Sequence, residues 1–241
     1  MAKPVCILVG GGEGLGQALA GKFAAEGFDM ALMSRSQEGS GAAIKAASEA
    51  GAKAEFFPVD ARDPQTIEAA CAASAEKLGP ASVVIYNVRG YYARKAPLEL
   101  EYEELMINYQ EEVVGALAVA KATMPAMIEA GAGTVIYSSA TAALRGSRSN
   151  PLYALGKFGL RGLSQSLAKK YAVNGVHVVH VRLDCALDTP GVRKAYGDSI
   201  TPEEMSKTED VAETYYWVHQ QPKSAWSNEV ELRPYTEDWT F

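Results

Sequence analysis

A chain of 241 residues, 48% of them hydrophobic, can bury a full core, and its Pro and Gly residues punctuate element boundaries without pooling into a linker, so a single domain over residues 1–241 is expected. Twenty-nine acidic against 23 basic side chains give a net charge of −6 with no basic stripe, which argues against a nucleic-acid partner. No apolar run approaches the roughly 18 residues that span a bilayer and no signal-peptide pattern precedes the first strand, so a soluble, cytoplasmic protein with no membrane partner is expected.

Val5 to Val9 is an apolar run that predicts the first strand. It leads straight into Gly10-Gly11-Gly12-Glu13-Gly14-Leu15-Gly16 and then into QALAGKFAAEG, an amphipathic helix. Strand, glycine turn and helix in that order form a phosphate site. Gly10 permits the tight turn, Gly14 lets a pyrophosphate approach the backbone, Gly16 removes a side chain where helix and sheet pack, and the helix N-terminus supplies N–H groups and a positive dipole. Five glycines in seven residues exceed what a structural turn needs. A dinucleotide is therefore the expected ligand, with Gly10, Gly12, Gly14, Leu15 and Gly16 around it.

DMALM, ending in Ser34-Arg35-Ser36, predicts a second strand, and the small residues from Gly41 to Ala50 a second helix. AEFFPVD follows as a strand, and Pro64 opens a third helix at its first turn, where the missing N–H is harmless. SVVIYN is a fourth strand, Glu99 to Glu129 one long helix, TVIYS a fifth strand, and Pro151 to Ala172 another helix. VHVVHVRL is a sixth strand, and NEVELRP a short last one after a helix containing DVAETYYWVHQQ. Near-continuous apolar strands separated by helices require a parallel sheet covered on both faces. The fold class is thus α/β, a Rossmann-type doubly wound parallel sheet of about seven strands.

Tyr153 and Lys157 lie four residues apart in PLYALGKFGLRGLSQSLAKKY, so both project from one helix face. A phenol near pKa 10 is a poor proton donor at neutral pH, but an ammonium one turn away favours the phenolate and pulls the pKa toward working range. The bland alternative is a core tyrosine beside a solvated lysine. Cys6, Cys71 and Cys185 are odd in number and far apart, and His177 and His180 fall on opposite sides of a strand, so no metal site is expected.

With GGGEGLG after the first strand, Asp60 in FFPVDARD, Asn87 in VVIYNVRG, then SSATAALRG, YALGK and Thr189 in LDTP, the chain resembles the short-chain dehydrogenase/reductase family over nearly its whole length. The resemblance implies strand order 3-2-1-4-5-6-7, a homodimer or homotetramer, and interconversion of a small-molecule carbonyl and alcohol by hydride transfer with a nicotinamide cofactor. It implies that Tyr153 protonates the oxygen while Lys157 depresses its pKa and holds the nicotinamide ribose. It further places Asp60 at the adenine amino group with Ala61 beside it, Asn87 and Val88 at the adenine ribose, and the Leu187 backbone and Thr189 hydroxyl at the carboxamide. An acid ending the second strand would hold free ribose hydroxyls; this chain has Ser34 and Arg35, matched to a 2′-phosphate, so NADP(H) is preferred and NAD(H) possible. Glu13 opposes that reading, standing where many NADP-dependent relatives carry a base.

Some positions depart from the family pattern. An ungapped count from Tyr153 puts Ala140 where relatives carry the carbonyl-polarising serine. Along a regular strand Ala140 would face the cleft and Ser139 would turn away, so Ser139 is expected to enter through a bulge, with Thr141 as fallback and Ser138 too far back. The asparagine that relatives use for a relay water falls at Glu112, one turn after Asn108; Glu112 either pairs with Lys157 or shares a solvated face with Glu111. Asp184-Cys185 replaces a Pro-Gly pair, Cys185 standing in for glycine. These gaps sustain a second expectation, a catalytically degenerate NADP(H)-binding regulatory or structural protein. Tyr91, Tyr92, Arg94, Arg145 and Arg148 are the expected substrate-pocket residues, and Trp239 and Phe241 belong to a subunit interface or to the core.

Overall fold

The computed structural model describes residues 2–238, so Trp239 and Phe241 lie outside the described residues. In chain order the strands are β1 (Val5–Val9), β2 (Asp29–Ser34), β3 (Ala54–Pro58), β4 (Ala81–Tyr86), β5 (Gly133–Ala140), β6 (Val176–Leu183), β7 (Ala186–Asp188), β8 (Met205–Lys207) and β9 (Glu229–Leu232). Seven of them form one parallel sheet in the order β3-β2-β1-β4-β5-β6-β9. The helices are α1 (Leu15–Ala25), α2 (Gly41–Glu49), α3 (Pro64–Leu78), α4 (Tyr102–Tyr109), α5 (Gly115–Ala130), α6 (Pro151–Tyr171), α7 (Pro190–Tyr196) and α8 (Thr208–His219).

The inner strands β1, β2 and β4 are largely apolar because both faces are covered. On β1, Cys6 and Leu8 pack with Phe23 of α1, Ala43 of α2 and Val211 of α8, whereas Ile7 and Val9 pack with Ile67 of α3, Ala116 of α5 and Leu160 of α6. Each fully buried Val, Leu or Ile contributes roughly 1.5–3 kcal/mol, which is how a two-sided sheet offsets the entropy of ordering its strands. Asp63 caps α3 by accepting from the Gln65 amide at 2.9 Å, with Pro64 at the first position. The sheet order reverses between β1 and β4, and the crevice that this opens at the carboxyl ends of the strands is where a ligand site forms in such folds.

Two elements differ from the sequence expectations. The segment after β6 builds a separate two-stranded sheet, β7 with β8, too short to leave a periodic pattern. The predicted long helix is interrupted by a π turn over Gln110–Val114 that joins α4 to α5. Contrary to the expectation that no apolar run reaches membrane length, the helical run Tyr102–Ala130 does so by length and composition, but 50% of its most apolar stretch is buried inside the protein. Its α5 part packs on the sheet with α3 and α6, as the core helix of an α/β layer does.

Candidate active site

A trough of about 470 Å³ opens over the ends of β1, β2 and β4. Gly10 turns with φ of 90° and lies so close to Asn87 that a Cβ there would stand 2.5 Å from the Asn87 carbonyl oxygen. Asn87 returns the contact, its amide donating to the Gly10 carbonyl at 3.1 Å. Gly14, with φ of 83°, abuts Thr189, and a Cβ on Gly16 would meet the Gly10 carbonyl oxygen at 2.8 Å, so this glycine lets α1 close on the loop. Gly10 and Gly12 line the trough, Gly14 caps α1 without a side-chain acceptor, and the Leu15 side chain is buried in the core, leaving only its backbone for a ligand.

Ser34, Arg35, Asp60, Ala61, Asn87 and Val88 all line this trough. The Ser34 hydroxyl donates to the Ser36 carbonyl at 2.9 Å and meets the Ser40 hydroxyl at 2.7 Å, which orders the loop that presents the exposed Arg35. The Asp60 carboxylate is gripped by Arg62, with contacts of 2.7–3.2 Å that hold its pKa below the ordinary carboxylate range. Its expected place at an adenine amino group therefore competes with an intramolecular partner that sequence reasoning missed. Glu13 does not share the trough; it lines a separate depression with Lys22 and Asp188.

Tyr153 lies on the wall of a second cleft, of about 1080 Å³, with Ser139, Ala140, Leu187 and Thr189. Arg89 lines both cavities and so marks where one passes into the other. Its guanidinium lies 4.5 Å from the Tyr92 ring centroid, and Tyr92 packs edge-on against Tyr153 at 5.6 Å. Of the expected substrate residues, Tyr92 and Arg94 line this cleft, Tyr91 lines the first trough, and Arg145 and Arg148 line neither. Ser36, Gly39, Arg89 and Glu111 also line one or both cavities; the first three lie on loops, which carry no periodic signal, and Glu111 on the π turn.

No bulge brings Ser139 into the cleft. β5 pairs with β6 in unbroken register from Gly133 to Ala140, and Ser139 falls on the same side as Val135 and Tyr137, facing α5 and α6. The assumption about which parity faces the cleft is what fails: the helix bearing Tyr153 covers the Ser139 side. The Ser139 hydroxyl is buried with no hydrogen-bond partner among the described residues, whereas the Ser138 hydroxyl, on the opposite side, accepts from Tyr215 of α8 at 2.9 Å. Thr141 donates to Asp184, which also pairs with Arg233 at 2.6 Å, so the fallback hydroxyl is committed to a structural network.

Lys157 is buried, donates to the carbonyls of Val88 at 3.3 Å and Ser138 at 3.2 Å, and forms an ion pair with Glu112 at 2.7 Å. Glu112 is fully buried, so the solvated-face alternative is overturned. Its neighbour Glu111 is half-buried, accepts from the Tyr91 amide at 2.6 Å, and has its pKa raised by burial. The net effect on Tyr153 is the reverse of the expected one. Burial raises its pKa, and this outweighs the lowering by Lys157, which Glu112 further opposes. The Asn108 amide nitrogen donates to the Tyr91 carbonyl at 2.9 Å, while its Oδ1 is buried with no hydrogen-bond partner among the described residues. Cys185 lines the second cleft, with burial raising its thiol above the ordinary value, so it is no activated nucleophile.

A glycine cradle of positive φ, an uncapped helix start, an arginine at the mouth and an orphaned hydroxyl at the inner end fit a nicotinamide dinucleotide. Comparisons with known proteins agree. The profile described as short chain dehydrogenase matches residues 4–196. L-2,3-butanediol dehydrogenase of Corynebacterium glutamicum is 33% identical over 179 residues, covering 73% of this chain and 69% of that protein. A 3-oxoacyl-(acyl-carrier-protein) reductase of Mus musculus is 28% identical over 174 residues, 72% of each chain. A short-chain dehydrogenase structure from Rhodopseudomonas palustris superposes with a TM-score of 0.82 at 28% identity, covering 96% of this chain and 99% of that one. An actinorhodin polyketide ketoreductase solved with NADPH gives 0.85 at 25% identity, covering 97% and 98%.

Proposed function

The chain belongs to the short-chain dehydrogenase family, whose members are NAD(P)-dependent oxidoreductases, and from that premise we propose that it interconverts a small-molecule carbonyl and alcohol with NADP(H). The observation that carries this reading is the convergence of Tyr153 with the unpartnered Ser139 hydroxyl in one cleft, backed by the buried Lys157. Gly10, Gly12, Gly14, Leu15 and Gly16 would hold the pyrophosphate through backbone and helix start. Ser34 and Arg35 would take the 2′-phosphate, Asp60, Ala61, Asn87 and Val88 the adenosine, and Leu187 and Thr189 the carboxamide. The cofactor, when bound, supplies or accepts the hydride.

The protein's own residues do the rest. Tyr153 gives its phenolic proton to the carbonyl oxygen in reduction and takes one from the alcohol in oxidation. The Ser139 hydroxyl donates to the same oxygen as charge develops on it. Lys157, fixed by two carbonyls and the Glu112 carboxylate, lies behind the phenol and would hold the nicotinamide ribose by exchanging one of these contacts. We further infer a cytoplasmic protein acting as a homodimer or homotetramer, which light scattering on a sizing column checks. The reading is tested by following NADPH and NADH oxidation with a panel of aldehydes and ketones. Steady turnover with NADPH is expected; tight NADPH binding without turnover across the panel would instead favour a cofactor-binding regulatory protein.

A further inference from the structure

Glu112 sits at the hub of the catalytic wall, and the chain has been cleared to receive it. Added Cβ atoms on Gly90 and Gly156 would stand 2.6 and 2.8 Å from the Glu112 Cγ, and the one on Gly156 would come closer still to Asn108 Oδ1, so glycines on two separate elements make room for Glu112 together with Asn108 one turn before it. Gly90 lies in the loop after β4 and Gly156 on α6, immediately before Lys157. The Gly90 amide donates to Glu112 Oε1 at 2.8 Å, and Oε2 stands 2.7 Å from the Lys157 ammonium. The π turn over Gln110–Val114 carries Glu112, and such turns commonly occur at functional positions.

We propose that Glu112 is a positioning residue whose buried carboxylate clamps Lys157 and, by offsetting its charge beside Tyr153, sets the pH range over which the phenol exchanges its proton. The proposal rests on the reading of Tyr153 as the proton-transferring group. Two charges of opposite sign act on the phenol, Lys157 favouring the phenolate and Glu112 opposing it. An unopposed ammonium would draw Tyr153 toward a phenolate, the form that accepts a proton; Glu112 reinforces burial in keeping it a neutral phenol, the form that donates one in reduction.

The remaining groups facing the site do not cancel this balance. Arg89 and Tyr92 reach Tyr153 from the β4–α4 loop, Arg89 favouring the phenolate and Tyr92 opposing it. Across the cleft, Asp184 is ion-paired to Arg233, while Glu204, Glu237 and Asp238 line the outer wall with Arg94. Near the buried pair, burial keeps Tyr86 protonated and His180 uncharged at neutral pH.

The test is an ultraviolet difference titration of the phenol, parent against Tyr153→Phe, repeated in a Glu112→Gln background. Glutamine keeps the shape and the acceptor for Gly90 but loses the charge. We expect the Tyr153 midpoint to fall by about one unit or more, a tenfold change in the ionisation constant, and the alkaline limb of carbonyl reduction to move down with it. An unchanged midpoint overturns the proposal. Should Glu112→Gln fail to fold, Glu112→Asp is titrated in its place, its shorter carboxylate drawn back from Lys157 and Tyr153: a lowered midpoint is expected, and an unchanged one overturns the proposal. Because the titration needs no turnover, a shifted midpoint in a protein inactive with every carbonyl would sink the enzymatic reading while leaving the effect of Glu112 on the phenol intact.

Discussion

Arg35 faces a choice between two cofactors that differ by one phosphate. It stands exposed at the rim of the trough on a loop ordered by Ser34, Ser36 and Ser40, and the Asp60 carboxylate in the same wall is neutralised by Arg62. A charge-assisted hydrogen bond is worth about 1.5–3 kcal/mol and a tenfold preference needs only about 1.4 kcal/mol. Arg35→Ala should therefore weaken NADPH binding at least about tenfold while leaving NADH unchanged, as fluorescence titration would show; equal losses for both cofactors would remove the assignment. Single residues were legible in the sequence where a backbone rule acts on them, as at Gly10, whose positive φ follows from the turn it makes. Glu112 was legible only as an even choice between a pair with Lys157 and a solvated face shared with Glu111. The packing of the Gly90 loop and α6 over the π turn buries it and decides for the pair.

At the scale of elements, β5 assigns opposite duties to two adjacent serines. Ser138 accepts from the buried Tyr215, tying the sheet to α8, while Ser139 faces the other layer with its hydroxyl unpaired. Ser139→Ala should lower kcat/KM by roughly a hundred- to a thousandfold, the loss of one preorganised donor to a developing oxyanion, with little change in stability. Ser138→Ala should do the opposite, costing about 1–3 kcal/mol through the stranded Tyr215 hydroxyl and leaving kcat/KM near the parent value. Chemical denaturation and steady-state kinetics on both variants separate the two roles. The period-two rule could give the alternation but not which parity meets Tyr153, because that depends on the side of the sheet to which α6 crosses. Strands β7 and β8, three residues each, fall below the length at which any periodicity can be recognised.

For the molecule as a whole, three histidines make stability depend on pH. Burial holds His177, His180 and His219 below the ordinary imidazole value, His180 at about 4. A folded pKa below the unfolded value means that the contribution is complete above about pH 6.5 and is lost as pH falls from there through the folded value, since the unfolded chain takes up protons that the folded one refuses. For His180, 1% exposed, the loss is on the order of 3 kcal/mol. The urea midpoint should thus drop between pH 6.5 and 4.5, and less steeply in His180→Leu; identical slopes would contradict this. The sheet order was expected from the family resemblance, and right-handed crossovers between buried apolar strands accord with it, whereas the two cavities meet at Arg89, a loop residue that only the fold places. The central claim is that this fold moves a proton through Tyr153 as a hydride moves to carbon. Its most direct test is the rate of NADPH oxidation by the parent and Tyr153→Phe proteins on the best carbonyl substrate. We predict a fall of roughly a hundred- to ten-thousandfold with NADPH affinity nearly intact; full activity in Tyr153→Phe would contradict the account.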